Sequence, residues 1–137
     1  GGVRTPFIAR WPGHFPQGAV SKQLFALNDI MATLASVLNQ NLSENQAVDS
    51  YNLLPVFRGQ EVEVRPSVVI QSGRGDKGIR MDNWKYIEPS NANKGTGELY
   101  NLENDISELE NLIGKMPEKA QELKIALDKI VDGNSSK

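Results

Sequence analysis

The chain of 137 residues has no cysteine and a single histidine, His14. The first absence excludes disulfides and thiol chemistry, although it does not fix the compartment, because many exported proteins have no cysteine. The second confines imidazole chemistry to one position. His14 lies between Gly13 and Pro16 with no carboxylate nearby in sequence, so it reads as an ordinary loop histidine rather than an acid–base group or a metal ligand. Cys/His spacing for a metal is missing. A large charge of one sign is missing too. The net charge of −2 gives no general attraction to nucleic acid or to anionic membranes. No run approaches the roughly 18 apolar residues of a membrane span, and no charged-then-apolar signal segment opens the sequence. Neither the G-x-S-x-G of a nucleophile elbow nor the Walker order of glycines and lysine occurs. Taken alone, the sequence contains no complete active site.

What is present centres on residues 68 to 89. Val68, Val69 and Ile70 are apolar without alternation, which suits an inner strand covered on both sides. Residues 72 to 78 form a glycine-rich polar loop, and its Arg74-Gly75-Asp76 also spells a cell-adhesion tripeptide, a three-residue match of little weight. Asp82-Asn83 is a two-residue turn candidate, because both side chains tolerate left-handed backbone. A turn there sets Met81 opposite Trp84, Arg80 opposite Lys85 and Ile79 opposite Tyr86. Strand alternation then puts Ile79, Met81, Trp84 and Tyr86 on one face and Arg80 and Lys85 on the other.

Around this stretch, residues 3 to 11 read as extended, with Pro6 arguing for an edge or bulge. Asn28 can cap a helix whose apolar stripe is Ile30, Met31, Leu34, Val37 and Leu38, expected to lie on a sheet or another helix. Pro55 interrupts any regular element. Residues 58 to 65 alternate in charge and read as a solvated loop. Residues 98 to 102 alternate enough to pair as a strand, and Ser107 with Glu110 fits a capping box for a short helical turn carrying Leu109, Leu112 and Ile113. Pro117 opens a last helix with Ala120, Leu123, Leu127, Ile130 and Val131 on one face, and Gly133 is its natural stop. The carboxylate pairs Asp105 with Glu108 and Glu44 with Asp49 read as solvated charge. Strand candidates near residues 3, 68, 79 to 88 and 98, with two main helices, give an α+β class: a small antiparallel sheet of about four strands packed by a long C-terminal helix and a second shorter helix. Residues 1 to 133 form one domain on this reading, and 134 to 137 a disordered tail.

Four segments carry a family resemblance. Gly1-Gly2-Val3-Arg4-Thr5-Pro6-Phe7-Ile8-Ala9-Arg10-Trp11-Pro12-Gly13 resembles a G-G-h-R-x-P-x-h-x-R-W-P-G segment (h, hydrophobic) of the sulfatase family. Asn28-Asp29-Ile30-Met31-Ala32-Thr33-Leu34 is similar to that family's D-h-x-x-T-L helix start. Ile79-Arg80-Met81-Asp82-Asn83-Trp84-Lys85-Tyr86-Ile87 resembles its R-x-x-x-W-K-h-I hairpin. Glu98-Leu99-Tyr100-Asn101-Leu102, continuing through Asp105, Glu108 and Asn111-Leu112, resembles its E-L-Y segment. The four stand in family order and span nearly the whole chain. The departures are Asn101 where Asp is commoner and Ile106 where Pro is commoner.

The resemblance implies the C-terminal domain of an arylsulfatase-like hydrolase. Its partners would be the catalytic N-terminal domain of the same chain and a sulfate-ester substrate, with no nucleic acid and no membrane. Such enzymes use a formylglycine, made from the Cys or Ser of a C/S-x-P-x-R motif, and a divalent cation (calcium). This chain has no C/S-x-P-x-R, so it supplies no catalytic residue and no metal ligand, and the fragment alone is expected to be inactive. The start at Gly-Gly-Val without methionine suggests a piece of something longer, with a periplasmic or secreted location. The substrate-facing candidates are Ser72, Arg74, Asp76 and Lys77. A glycine-rich loop held at both ends can bring its backbone close to a ligand, and the two cations suit an anionic ester. A free-standing non-catalytic binding or structural module is the alternative. An uncovered apolar patch is expected around residues 3 to 11.

Overall fold

The computed structural model describes residues 4 to 133, which fall into two compact units. The proposed tail, 134 to 137, lies outside the described residues, as do residues 1 to 3.

The first unit runs from residue 67 onward and includes Arg4. Strands β1 (Ser67–Gln71), β2 (Lys77–Met81), β3 (Trp84–Ile87) and β4 (Glu98–Asn101) form one antiparallel sheet in sequence order. The hairpin register is the one that the Asp82-Asn83 turn dictates: Met81 pairs with Trp84, Arg80 with Lys85 and Ile79 with Tyr86. Asp82 takes the left-handed φ of 51°, a conformation that a short polar side chain tolerates. Helix α3 (Pro117–Gly133) begins with proline in its first turn, where no backbone donor is needed. Its Ala120, Leu123 and Leu127 meet Ile79, Tyr86 and Leu99 in the core, with Ile130 and Val131 packed alongside. The apolar row of the hairpin therefore lies under α3, and Arg80 and Lys85 lie on the opposite face. Gly78 is fixed by close approach, since a Cβ there would stand 2.7 Å from the carbonyl oxygen of Tyr86.

Two expectations about the backbone fail in this unit. β1 is an edge strand rather than an inner one, and Val68, Val69 and Ile70 are half-buried. Continuous apolar character here reflects two partly covered faces, Val69 packing on the α3 side and Val68 and Ile70 lying on the other. No helical turn forms after Ser107. The carboxylate of Asp105 takes the Glu110 N–H at 2.8 Å, and Asn111 Oδ1 takes the N–H groups of Leu99 and Ile113 at 3.0 Å each. These bonds tie the segment to β4 as a folded loop, with Leu112 and Ile113 against the core and Leu109 exposed.

The second unit, residues 5 to 66, contains α1 (Asp29–Val37) and the single turn α2 (Leu54–Phe57). Pro55 sits near the start of α2 instead of interrupting it. Residues 4 to 10 form no strand. Phe7 instead joins an aromatic cluster, with ring centroids 4.3 Å from Phe25 and 5.6 Å from Phe57, and that packing replaces ladder pairing. The inward face of α1 is not the apolar stripe. Asp29 and Thr33 are buried, while Met31, Leu34 and Leu38 are exposed. Asn28 makes no capping bond. Asp29 Oδ2 accepts from the Ala26 N–H (2.8 Å), and its Oδ1 accepts from the Tyr51 N–H (2.9 Å) and pairs with Arg65. Thr33 Oγ1 donates to the Asp29 carbonyl (2.7 Å) and accepts from the Leu53 N–H (3.0 Å). Arg65, expected in a solvated loop, is buried against the Tyr51 ring at 4.8 Å; its Nη1 donates to Asp29 and to the Asp49 carbonyl (3.1 Å), while its buried Nε has no hydrogen-bond partner.

Candidate functional site

The loop between β1 and β2 is bounded by the Gln71–Lys77 pair and contains residues 72 to 76. Ser72 organises it. Its N–H donates to the Asp76 carbonyl (2.8 Å), its carbonyl accepts from the Gly75 N–H (3.0 Å), and its hydroxyl accepts from the N–H groups of Arg74 and Asp76 (3.2 Å each). The same hydroxyl donates to Asp76 Oδ2 at 3.0 Å. Gly75 adopts a φ of 95°, which side-chain-bearing residues rarely reach. Of the four candidates, Ser72 and Asp76 are thus engaged with each other and shape the loop. Arg74 is exposed and Lys77 half-buried, and neither side chain has an ion-pair partner among the described residues. Lys77 is the first residue of β2 rather than part of the loop, so one cation stands on the loop and one at its base, a suitable arrangement for gripping anionic oxygens.

Sequence reading overlooked Glu88, which secures the base of this loop. Its Oε1 accepts the Lys77 N–H at 2.8 Å, and its own N–H donates to the Lys77 carbonyl at 3.0 Å. The signal was available, because extending the hairpin register outward from Asp82-Asn83 places residue 88 opposite residue 77.

A second polar group lies on the sheet face away from α3. Lys85 Nζ pairs with Glu108 Oε2 at 2.6 Å, and both side chains are largely buried, so Glu108 is not solvated charge. Burial works to raise the Glu108 carboxyl, yet the hydrogen bond and charge of Lys85 leave it below its ordinary range. The Tyr100 hydroxyl, which donates to Glu98 Oε2 at 2.9 Å, is pushed up to about 12 by burial and then by Glu98. Arg80 is lowered by burial and by the nearby charge of Arg4. His14 stacks on Trp11, with ring centroids 4.0 Å apart, in an exposed turn. Among the described residues no group of three or more His, Asp or Glu is placed to hold a metal ion. No helix among the described residues is long and apolar enough to cross a membrane.

Comparison with known proteins follows the same outline. No family model matches the chain. An N-acetylgalactosamine-6-O-sulfatase of Bacteroides thetaiotaomicron is 35% identical over 94% of this chain, which corresponds to 27% of that protein. A solved structure from work on glycosaminoglycan metabolism by Bacteroides thetaiotaomicron superimposes with a TM-score of 0.68 at 33% identity, covering 74% of this chain and 24% of the other. The structure of Ps i-CgsB in complex with a neocarrahexaose gives a TM-score of 0.71 at 26% identity, over 87% of this chain and 27% of that one. The chain thus spans about a quarter of the length of these relatives.

Proposed function

Since the chain belongs to the sulfatase family, we propose that it forms the C-terminal domain of an arylsulfatase-like sulfuric ester hydrolase, completing the fold and contributing the 72–77 loop to the substrate cleft. The observation that carries this reading is the match along almost the whole chain to an N-acetylgalactosamine-6-O-sulfatase about four times as long. The nucleophile and the divalent cation then belong to the larger part of the protein, and the enzyme works in the periplasm or outside the cell. Sulfated carbohydrate is the favoured substrate class, because the relatives are tied by name to N-acetylgalactosamine, glycosaminoglycans and a neocarrahexaose.

Within this reading Arg74 and Lys77 contact the anionic substrate, while Ser72, Asp76 and Glu88 hold the loop that presents them. In the full-length enzyme the double substitution Arg74→Ala and Lys77→Ala raises KM for a sulfated oligosaccharide by an amount worth about 1 to 3 kcal/mol, with folding intact. Unchanged kinetics in that variant would leave the loop as a connection only. Absence of any sulfate-ester hydrolysis by the full-length polypeptide would favour a non-catalytic module.

A further inference from the structure

The strand register decides which loops of the sheet unit share an end. Gln71 pairs with Lys77, Gly78 with Ile87, and Ile87 with Glu98, so the β1–β2 loop and the β3–β4 loop, residues 88 to 97, leave the sheet at the same end. Glu88 joins the two. Its N–H and Oε1 hold the carbonyl and N–H of Lys77, and its own carbonyl accepts from Asn93 Nδ2 at 2.9 Å. The second loop is as firmly built as the first. Ser90 Oγ accepts from the Ala92 N–H (3.2 Å), Asn93 Oδ1 accepts from the Ser90 N–H (2.8 Å), and the Gly95 N–H donates to the Ser90 carbonyl (2.8 Å). On this loop Lys94 takes a left-handed φ of 59°. Glycine or asparagine would adopt that conformation at less cost, so the geometry alone does not call for lysine. The side chain is exposed and has no ion-pair partner among the described residues.

We propose that the β3–β4 loop is a second wall of the substrate cleft, and that Lys94 binds an anionic group on the sugar unit next to the one bearing the scissile sulfate. This rests on the reading above that the 72–77 loop faces a sulfated carbohydrate. The bases of the two loops stand two strand spacings apart, about 10 Å. A sulfate group is smaller than that span, so a cation on the second loop serves a different anionic group from the one gripped by Arg74 and Lys77. Lys94 is then a specificity residue. It selects chains with a charged neighbouring unit and takes no part in cleavage of the ester.

Three disaccharides of N-acetylgalactosamine 6-sulfate test this on the full-length enzyme, with the neighbouring unit a uronate, a sulfated hexose or a neutral hexose. Lys94→Gly suits the left-handed backbone while removing the cation. It is expected to raise KM for at least one of the two charged-neighbour compounds about tenfold relative to the neutral one. The compound that responds identifies the bound group as carboxylate or sulfate. Lys94→Arg is expected to keep the wild-type KM ratios. Unchanged ratios in Lys94→Gly overturn the proposal, and so does an equal rise for all three compounds, which would make Lys94 a contact of the scissile group. The Arg74→Ala and Lys77→Ala double variant is measured alongside. Wild-type KM values in that variant remove the 72–77 loop from the cleft, while the Lys94 ratios still decide the second loop. Hydrolysis of none of the three compounds removes the substrate class and this proposal with it.

Discussion

Helix α3 turns Ala120, Leu123 and Leu127 inward and Glu118, Glu122, Lys124 and Lys129 outward, whereas α1 turns Asp29 and Thr33 inward and Met31 and Leu34 outward. Both have clean helical spacing of apolar residues. Spacing establishes which side chains share a face, but not which face meets the rest of the unit. On α3 the sheet supplies an apolar surface, so the apolar face wins by burial. Under α1 the neighbours are backbone N–H groups of residues 26, 51 and 53 and the Arg65 guanidinium. Those donors need acceptors, and the polar face supplies them.

The largest effect that sharpens this contrast lies beneath α1. Asp29→Asn keeps an acceptor oxygen for the backbone but removes the charge opposite Arg65, which is 4% exposed. Leaving a buried cation uncompensated costs about 3 to 5 kcal/mol. Urea unfolding is expected to show that loss, and a change under about 1 kcal/mol would mean that the pair is solvated and α1 is not held by it.

The next test sets one leucine against another. Leu123→Ala removes a side chain with no exposed surface and is expected to cost about 2 to 5 kcal/mol. Leu34→Ala, on the outward stripe, is expected to change the stability of the 137-residue chain by no more than about 0.5 kcal/mol. Equal losses by denaturant titration would abolish the distinction between the helices.

The sheet unit was the more legible region. Its hairpin register, its apolar face and the α3 core follow from a two-residue turn and from period, both local properties. The second unit was harder to read because its order comes from contacts distant in sequence. Arg65 looked solvated beside Glu61 and Glu63, and its partner Asp29 lies 36 residues away. Residues 4 to 10 looked extended, yet the partners of Phe7 are Phe25 and Phe57, rings rather than strands. In the candidate site, glycine spacing found the 72–77 loop and its charges, and the Ser72–Asp76 bond shows that two of the four named residues are engaged in shaping it.

The smallest of the expected losses asks whether buried charge alone sets α1 apart, because the sheet unit also has a sheltered pair, Lys85 with Glu108. Burial tends to raise the Glu108 carboxyl, but Lys85 brings it below the ordinary value, and backbone N–H groups of Glu110 and Leu109 lower Asp105 in the same segment. A carboxyl lowered in the folded state binds its proton more weakly there than in the unfolded chain, where its value is roughly 4.3 for a glutamate. Stability from Glu108 is therefore fully present above that value and is lost as pH falls through the folded one. Glu108→Gln is expected to cost about 1.5 kcal/mol at neutral pH and to flatten the fall in stability on acidification below about pH 4. Denaturant midpoints measured from pH 7 to pH 3 check both. If the variant loses as much as Asp29→Asn does, the two pairs are equivalent, and the reversed face of α1 must then be explained by its exposed stripe alone.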